Sequence, residues 1–388
     1  MKTAVIISEY NPFHNGHKYL VDRAKADGYA VVAVMSGNYT QRGELAILDK
    51  LKRAEAAVKC GVDLVLELPF PYAMASAEFF ARGGVSVLER IGADAIYFGS
   101  ECGDVEFIKR AAEAAASDEL VRLKNNTPSG EGDAKGYFEA LGRVLGADVE
   151  LLSNDILAIE YVKEINRRGL AVSVNAVKRL GDRYRDEEVS SELASATAVR
   201  NLVNNKGTDS VRHYMPAASL EVLENAAAAG IAPVNIEKTE AAILSFWRMV
   251  DPEGLSGIAE LGNGLEYRLK EAALVSSTLK ELEEKAATKK YTSAKIRRAL
   301  LFAFLGVTKS MLDDKPQYTT LLASDSTGRE ILSALRKSEG NMEIVTKQAD
   351  APQGAQRELS DRADAFYTLS MPKPHEAGYF AKSKIYIE

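Results

Sequence analysis

An α/β fold built on a Rossmann-like parallel sheet, continued by a mainly α-helical C-terminal part, is the architecture that this 388-residue sequence predicts. Three observations carry the prediction. Short β-branched apolar runs alternate with segments of helical periodicity from residue 3 to residue 98, joined by short links. The turns after the first, second and fourth of these runs are polar and bear glycine, as ligand-binding turns at strand C-termini do. Beyond Gly207 the helical spacing recurs with no strand-like run between the helices.

Taken in order, residues 3–7 (TAVII) are short, apolar and β-branched, and read as a strand buried on both faces. Residues 8–13 form a polar turn with Pro12, where an extended segment has to stop. Asn15 and Gly16 then open a helix whose apolar positions Tyr19, Leu20 and Ala24 fall at helical spacing. Residues 30–35 (AVVAVM) give a second strand, followed by the loop SGNYTQRGELAI and a helix over 49–59 with Leu51, Ala54 and Val58 on one face. Residues 62–66 give a third strand. Residues 75–91 give a long helix that Gly83-Gly84 weakens in the middle, and 95–98 a fourth strand. This order predicts a parallel sheet with right-handed crossovers, so the turns 8–16, 36–44 and 99–103 gather at one edge.

Residues 118–135 are polar and rich in turn formers, and read as a surface excursion before a helix over 137–145. A helix over 154–166 has Asn154 or Asp155 as its cap. Residues 171–177 are strand-like, with Lys178-Arg179 at their end. Ser195 to Arg200 (SATAVR) leads into a helix reaching about 205, and Arg200 one turn in makes a phosphate pocket there. Helical segments follow at 217–229, 238–250, 266–286 and 293–305. The change of texture places a boundary near 206–216, dividing a domain of 1–206 from one of 207–388. The tail is polar to about residue 365 and ends in a strand-like KIYIE.

With 46% hydrophobic and 27% charged residues the composition is that of a soluble globular protein. No apolar run approaches the roughly 20 residues needed to span a bilayer, and the N-terminus lacks a signal peptide's apolar core. Two cysteines, Cys60 and Cys102, give no disulfide framework, so the expected compartment is the cytoplasm. A net charge of −6 argues against nonspecific polyanion binding by the whole surface, though not against a local basic patch. Residues 285–298 (KAATKKYTSAKIRR) hold six basic residues and no acidic one. They read either as a solvated basic face or as a nucleic-acid patch. In the second case Lys289, Lys290, Lys295, Arg297 and Arg298 neutralise phosphates and Tyr291 stacks on a base.

The candidate chemistry concentrates at His14-Asn15-Gly16-His17, where strand gives way to helix. A helix N-terminus presents unpaired N–H groups and a partial positive charge, which suits phosphate. Gly16 lets a flat base or sugar approach the backbone. His14 and His17 share a face of the first turn, and both can donate to phosphate oxygens as a phosphorus–oxygen bond breaks. Two plainer readings compete: ordinary surface or capping histidines, and a zinc pair, for which His and Cys partners are scarce. The placement after a buried strand favours the nucleotide reading, with no protein-held metal.

The turn resembles the HxGH signature of the nucleotidylyltransferase superfamily, and Ser195 to Arg200 a degenerate form of that superfamily's serine/threonine-rich phosphate motif. Longer strings resemble the bacterial tRNA(Met) cytidine acetate ligases: SEYNPFHNGHKYL, MSGNYTQRGELAILDKLKR, GVDLVLELPF, FGSE, NDILAIEYVK, VKRLGDRY and YTSAKIRRALL. The similarity spans nearly the whole chain. It implies a nucleotidylyltransferase domain that uses ATP and acetate to form an acetyl-adenylate. The acetyl group then passes to N4 of the wobble cytidine of elongator tRNA(Met). The implied ATP site runs from Ile7, Ser8 and Glu9 through the turn Tyr10, Asn11, Pro12 and Phe13. It continues over His14, Asn15, Gly16, His17 and Leu20, and adds Gly99, Asn154 and Arg179.

The residue types support that chemistry. Acetate is already ionised, so its attack on the α-phosphate needs charge stabilisation and positioning more than a base. His14, His17 and Arg179 supply this, with Mg²⁺ bridging phosphate oxygens. Gln41 and Arg42, on the loop after the second strand, are candidates for acetate or cytidine contacts. The alternatives are an adenylyl- or cytidylyltransferase making a small cofactor, and a non-catalytic ATP- or RNA-binding protein.

Overall fold

A computed structural model of the chain describes residues 1–118, 120, 141–142, 144–145, 151–179, 194–337 and 342–388. The polar excursion expected at 118–135, the helix at 137–145 and the end of the VKRLGDRY string lie largely outside them.

The first strand, β1 (Thr3–Ser8), is buried along nearly its whole length and sits near the middle of an eight-stranded sheet. It pairs in parallel with β2 (Ala30–Ser36) on one side and β4 (Ala95–Ser100) on the other. Beyond β2 lies β3 (Leu64–Leu68), also parallel, and beyond β4 the half-exposed edge strand β5 (Ser173–Lys178). The crossovers run through α1 (Asn15–Ala26), α2 (Lys50–Lys59) and α3 (Ala77–Ile91). Then α4 (Val105–Ala115) and α5 (Ser153–Arg168) lead to β5, and α6 (Ala196–Lys206) follows.

The two glycines in α3 have a packing reason. A Cβ on Gly84 would meet the Ile7 side chain at 2.7 Å, and one on Gly83 would meet Tyr72 Cβ at 2.5 Å. The helix thus lies closer to β1 than any residue with a side chain allows, which offsets the helix-propensity cost of glycine.

The helical block expected after residue 207 is present: α7 (Ala217–Ala228), α8 (Glu240–Met249), α9 (Leu265–Leu274), α10 (Leu279–Ala286) and α11 (Ser293–Leu305). One expectation is corrected here. Residues 266–286 are two helices, because the chain turns at 275–278 and Thr278 caps the second through the N–H of Glu281 at 3.1 Å.

The tail is the larger correction. It is not polar to residue 365. After α12 (Lys309–Asp313) comes β6 (Tyr318–Ser324), buried at every position, which pairs antiparallel with β3. The chain continues through α13 (Ser326–Lys337), β7 (Glu343–Val345), α14 (Ala355–Leu369) and α15 (Tyr379–Lys382). It ends at β8 (Tyr386–Ile387), the strand that KIYIE predicts. β7 and β8 both pair in parallel with β6, so the sheet draws strands from both ends of the sequence, in the order β5-β4-β1-β2-β3-β6-β7. Among the described residues no helix is long and apolar enough to cross a membrane.

Candidate nucleotide site

At the C-terminal edge of the parallel strands lies a cavity of about 410 Å³, within the usual range for a small-ligand site. Its wall brings together the β1–α1 turn, the loop after β2, the ends of β4 and β5, and the first turns of α5 and α6.

The turn is built around two histidines that cap the helix they open. His14 is the N-cap of α1, and its Nδ1 accepts the Gly16 N–H at 3.0 Å. His17 answers with its own Nδ1, which accepts the His14 N–H at 3.2 Å. This is a capping box with imidazoles in place of the usual hydroxyl and carboxylate. Burial holds the His14 pKa down to about 3, with Arg179 and Arg200 adding to the effect. Burial likewise holds His17 well below its ordinary value, helped by His14 and Arg179. Both rings are therefore neutral near pH 7. Because each Nδ1 accepts a backbone N–H, the single ring proton of each sits on Nε2. Two neutral N–H donors are thus left for the cavity that both rings line.

Packing fixes the rings. Tyr10 lies edge-on to His17 with centroids 4.9 Å apart, and edge-on to Phe13 at 4.8 Å. Tyr10 adopts φ 47°, a left-handed conformation that a non-glycine residue holds only where its surroundings impose it. Arg53, fully buried in α2, supplies part of that constraint. Its guanidinium donates to the carbonyls of Leu48 (2.8 Å), Ser36 (3.1 Å), Glu9 and Gly37. One side chain thereby ties the ends of β1 and β2 together. Nothing in its sequence context singled Arg53 out.

Of the residues expected at an ATP site, Ile7, Ser8, Glu9, Tyr10, Asn11, His14, Gly16, His17, Leu20, Gly99, Asn154 and Arg179 line the cavity, as do Gln41 and Arg42. Pro12, Phe13 and Asn15 do not. Phe13 turns into the core, its carbonyl accepting from Ser219 Oγ at 2.8 Å. Asn15 faces away, its backbone N–H donating to Tyr214 O and its amide to His213 O. Asn154 is held by Glu101, whose carboxylate accepts from its Nδ2 and from the Asp155 N–H at 3.1 Å. Among the described residues no donor is paired with the Asn154 side-chain oxygen.

The SATAVR stretch takes the place the sequence suggested for it. Ser195 caps α6 through the Ala198 N–H at 3.2 Å. Arg200 reaches the cavity while donating to Asn11 O (3.1 Å), Glu44 (3.3 Å) and Thr197 Oγ1 (3.3 Å). Lys178 at the end of β5 joins Arg42, Arg179, Arg200 and Arg298 as the cations of the wall.

The basic stretch 285–298 divides, which corrects the single-patch expectation. Lys289 is exposed and Lys290 half-buried. Lys290 and Lys295 hold their ammonium groups 5.3 and 5.7 Å from the Tyr291 ring centroid. Tyr291 itself is buried and donates to Asn263 O at 2.8 Å, so its ring is not free to stack on a base. Arg297 and Arg298 turn inward. Arg297 pairs with Glu44 at 2.8 Å, and Arg298 with Glu260 at 2.8 Å while donating to Gln41 O at 3.2 Å and lining the cavity.

The HIGH Nucleotidyl Transferase family model matches residues 1–379. A tRNA(Met) cytidine acetate ligase of Acetivibrio thermocellus is 36% identical over 370 residues, 90% of this chain and 89% of that one. One of Caldicellulosiruptor saccharolyticus is 36% identical over 390 residues, 97% of this chain and 96% of that one. The crystal structure of Thermotoga maritima TmcAL bound with α-thio ATP matches with a TM-score of 0.90 at 32% identity, covering 100% of both chains. This chain therefore belongs to the HIGH nucleotidyl transferases and, among them, to the tRNA(Met) cytidine acetate ligases.

Proposed function

We propose that the protein uses ATP to activate acetate as acetyl-adenylate and transfers the acetyl group to N4 of the wobble cytidine of elongator tRNA(Met). The observation that carries this reading is the pair of neutral imidazoles, each with an Nε2–H left for a cavity that Arg42, Arg179, Arg200 and Arg298 also line. Neutral donors stabilise charge that develops on the α-phosphate without repelling one another, which two imidazolium rings so close together would do.

In the first step the acetate carboxylate attacks the α-phosphorus and pyrophosphate leaves. His14, His17 and Arg179 hold the phosphate oxygens while the Asn154 carbonyl and Gly99 border the base. Mg²⁺ bound together with ATP would neutralise phosphate charge. Among the described residues no cluster of three or more His, Cys, Asp or Glu stands ready to hold it. In the second step a wobble base drawn out of the single-stranded anticodon loop meets the adenylate, at less cost than flipping from a duplex. Lys289, Lys290 and Lys295 serve the tRNA backbone. Arg298 lines the site instead, and Arg297 is paired with Glu44.

The test supplies purified protein with ATP, labelled acetate and tRNA(Met) transcript, followed by nucleoside mass spectrometry. The reading predicts label in N4-acetylcytidine. Label absent from cytidine, with a competent tRNA in hand, would overturn it.

A further inference from the structure

The charged side chains of the cavity wall are cationic except at one point. Among the described lining residues Glu9 is the one carboxylate, set in the same wall as Arg42, Lys178, Arg179, Arg200 and Arg298. A carboxylate has no proton to give a polyphosphate and carries the wrong sign of charge for it. The resemblance that places Glu9 within the ATP stretch therefore leaves its side chain without a task. Yet the side chain is held in place. Its Oε1 accepts the Gln41 N–H at 2.8 Å, and its backbone carbonyl is gripped by Arg53. No described residue donates to Oε2.

The second step needs an acceptor of this kind. The lone pair of a cytidine exocyclic amine is delocalised into the ring, so the amine attacks well only if a proton departs as the new bond forms. We propose that Glu9 accepts that proton, an assignment that rests on the adenylate reading above. The N4 lone pair forms the carbon–nitrogen bond to the acetyl carbonyl. The carbon–oxygen bond to AMP breaks, and its electron pair leaves on the AMP phosphate. One N4 proton passes to Glu9 Oε2 and from there to water. The electrostatics are consistent with this task. Burial raises the Glu9 carboxyl and Glu44 adds to the rise, while the Gln41 N–H, Arg200 and Arg42 oppose it. Tyr161 on α5, also in the wall, is kept in its neutral form by burial and by Glu9. A base raised toward neutrality is better matched to proton transfer than an ordinary carboxylate.

Glu9→Gln keeps an oxygen for the Gln41 N–H and removes the base. Two readouts separate the half-reactions: acetate-dependent ATP–pyrophosphate exchange, and single-turnover transfer from preformed enzyme-bound adenylate to tRNA(Met). The proposal expects transfer to fall by about 100-fold or more, and by at least about tenfold more than exchange falls. Transfer that survives, or both half-reactions falling together as for a nucleotide or Mg²⁺ ligand, would overturn it. A wild type without acetate-dependent exchange would overturn the adenylate reading instead. Should the variant not fold, the wild-type pH profile decides. Transfer from preformed adenylate should lose rate as pH falls, with a midpoint above the ordinary carboxylate value of 4.5 because burial raises Glu9, and a profile flat down to that value would contradict the assignment.

Discussion

The imidazole of His14 lies against that of His17, centroids 3.7 Å apart and planes 27° from parallel. Each ring also accepts a backbone N–H through Nδ1, so the pair caps α1 with one nitrogen of each ring and presents the other, Nε2, to the cavity as a donor. Structure and chemistry at this turn can therefore be separated by choosing substitutions that keep one nitrogen's role and lose the other's.

His14→Asn does this. The asparagine carbonyl oxygen falls near the Nδ1 position and still accepts the Gly16 N–H, but nothing replaces Nε2–H. Stability should stay within about 0.5 kcal/mol of wild type, because Asn is a good N-cap. Turnover should fall on the order of 10²- to 10³-fold, as for loss of one oxyanion donor. His14→Ala should lose a similar factor in rate and about 1 kcal/mol in stability as well. Urea unfolding and steady-state turnover check both.

The depressed histidines leave a pH signature with a definite sign. His14 ionises at about 3 in the folded protein against its ordinary 6.5, so between these values the unfolded chain binds more protons. The stability it contributes is complete above about pH 6.5 and is lost as pH falls toward 3. His17 acts in the same direction. Unfolding free energy measured from pH 7.5 to 4.5 should fall more steeply for wild type than for His14→Asn, the difference approaching about 1.4 kcal/mol per pH unit. Parallel curves would mean that His14 is not held neutral by the fold.

Arg53→Met leaves the carbonyls of Glu9, Ser36, Gly37 and Leu48 without their donor in a fully buried position. Each orphaned buried acceptor costs about 1–3 kcal/mol, with partial relaxation. A loss of about 3 kcal/mol or more is expected by urea unfolding. Loss of less than about 1 kcal/mol would show that the loops do not depend on this clamp.

Gly84→Ala sets two effects against each other. Alanine gains up to about 1 kcal/mol in helix propensity, but its Cβ would come within 2.7 Å of the Ile7 side chain. Overpacking of a core of this kind costs about 1–3 kcal/mol, so the net effect should be destabilising. Thermal unfolding gives the sign directly, and a stabilised variant would mean that α3 can move off β1 freely.

The β1–α1 turn was legible in the sequence because its signals are local. A β-branched run, a proline turn and two histidines three apart sit within eighteen residues, and the sheet's central strands share the same all-apolar texture. β6 was not legible. Its residues YTTLLAS are half polar, and the strand becomes a core element only by pairing with β3, far away in the sequence. The same holds for Arg297 and Arg298, which look like members of a basic run until Glu44 and Glu260 from distant segments draw them inward. Glu9 shows a subtler limit: its position in the site follows from the motif, while its task follows from the charges around it. The break at 275–278, by contrast, had a readable signal in Ser277-Thr278 followed by Glu281, a capping pattern that apolar spacing alone conceals.

A crystal structure of the protein with a non-hydrolysable ATP analogue tests the central claim most directly. The account predicts the nucleotide in the cavity at the C-terminal edge of β1 and β4, with Nε2 of His14 and of His17 within about 3 Å of phosphate oxygens. A nucleotide bound elsewhere, or phosphates turned away from both rings, would contradict it.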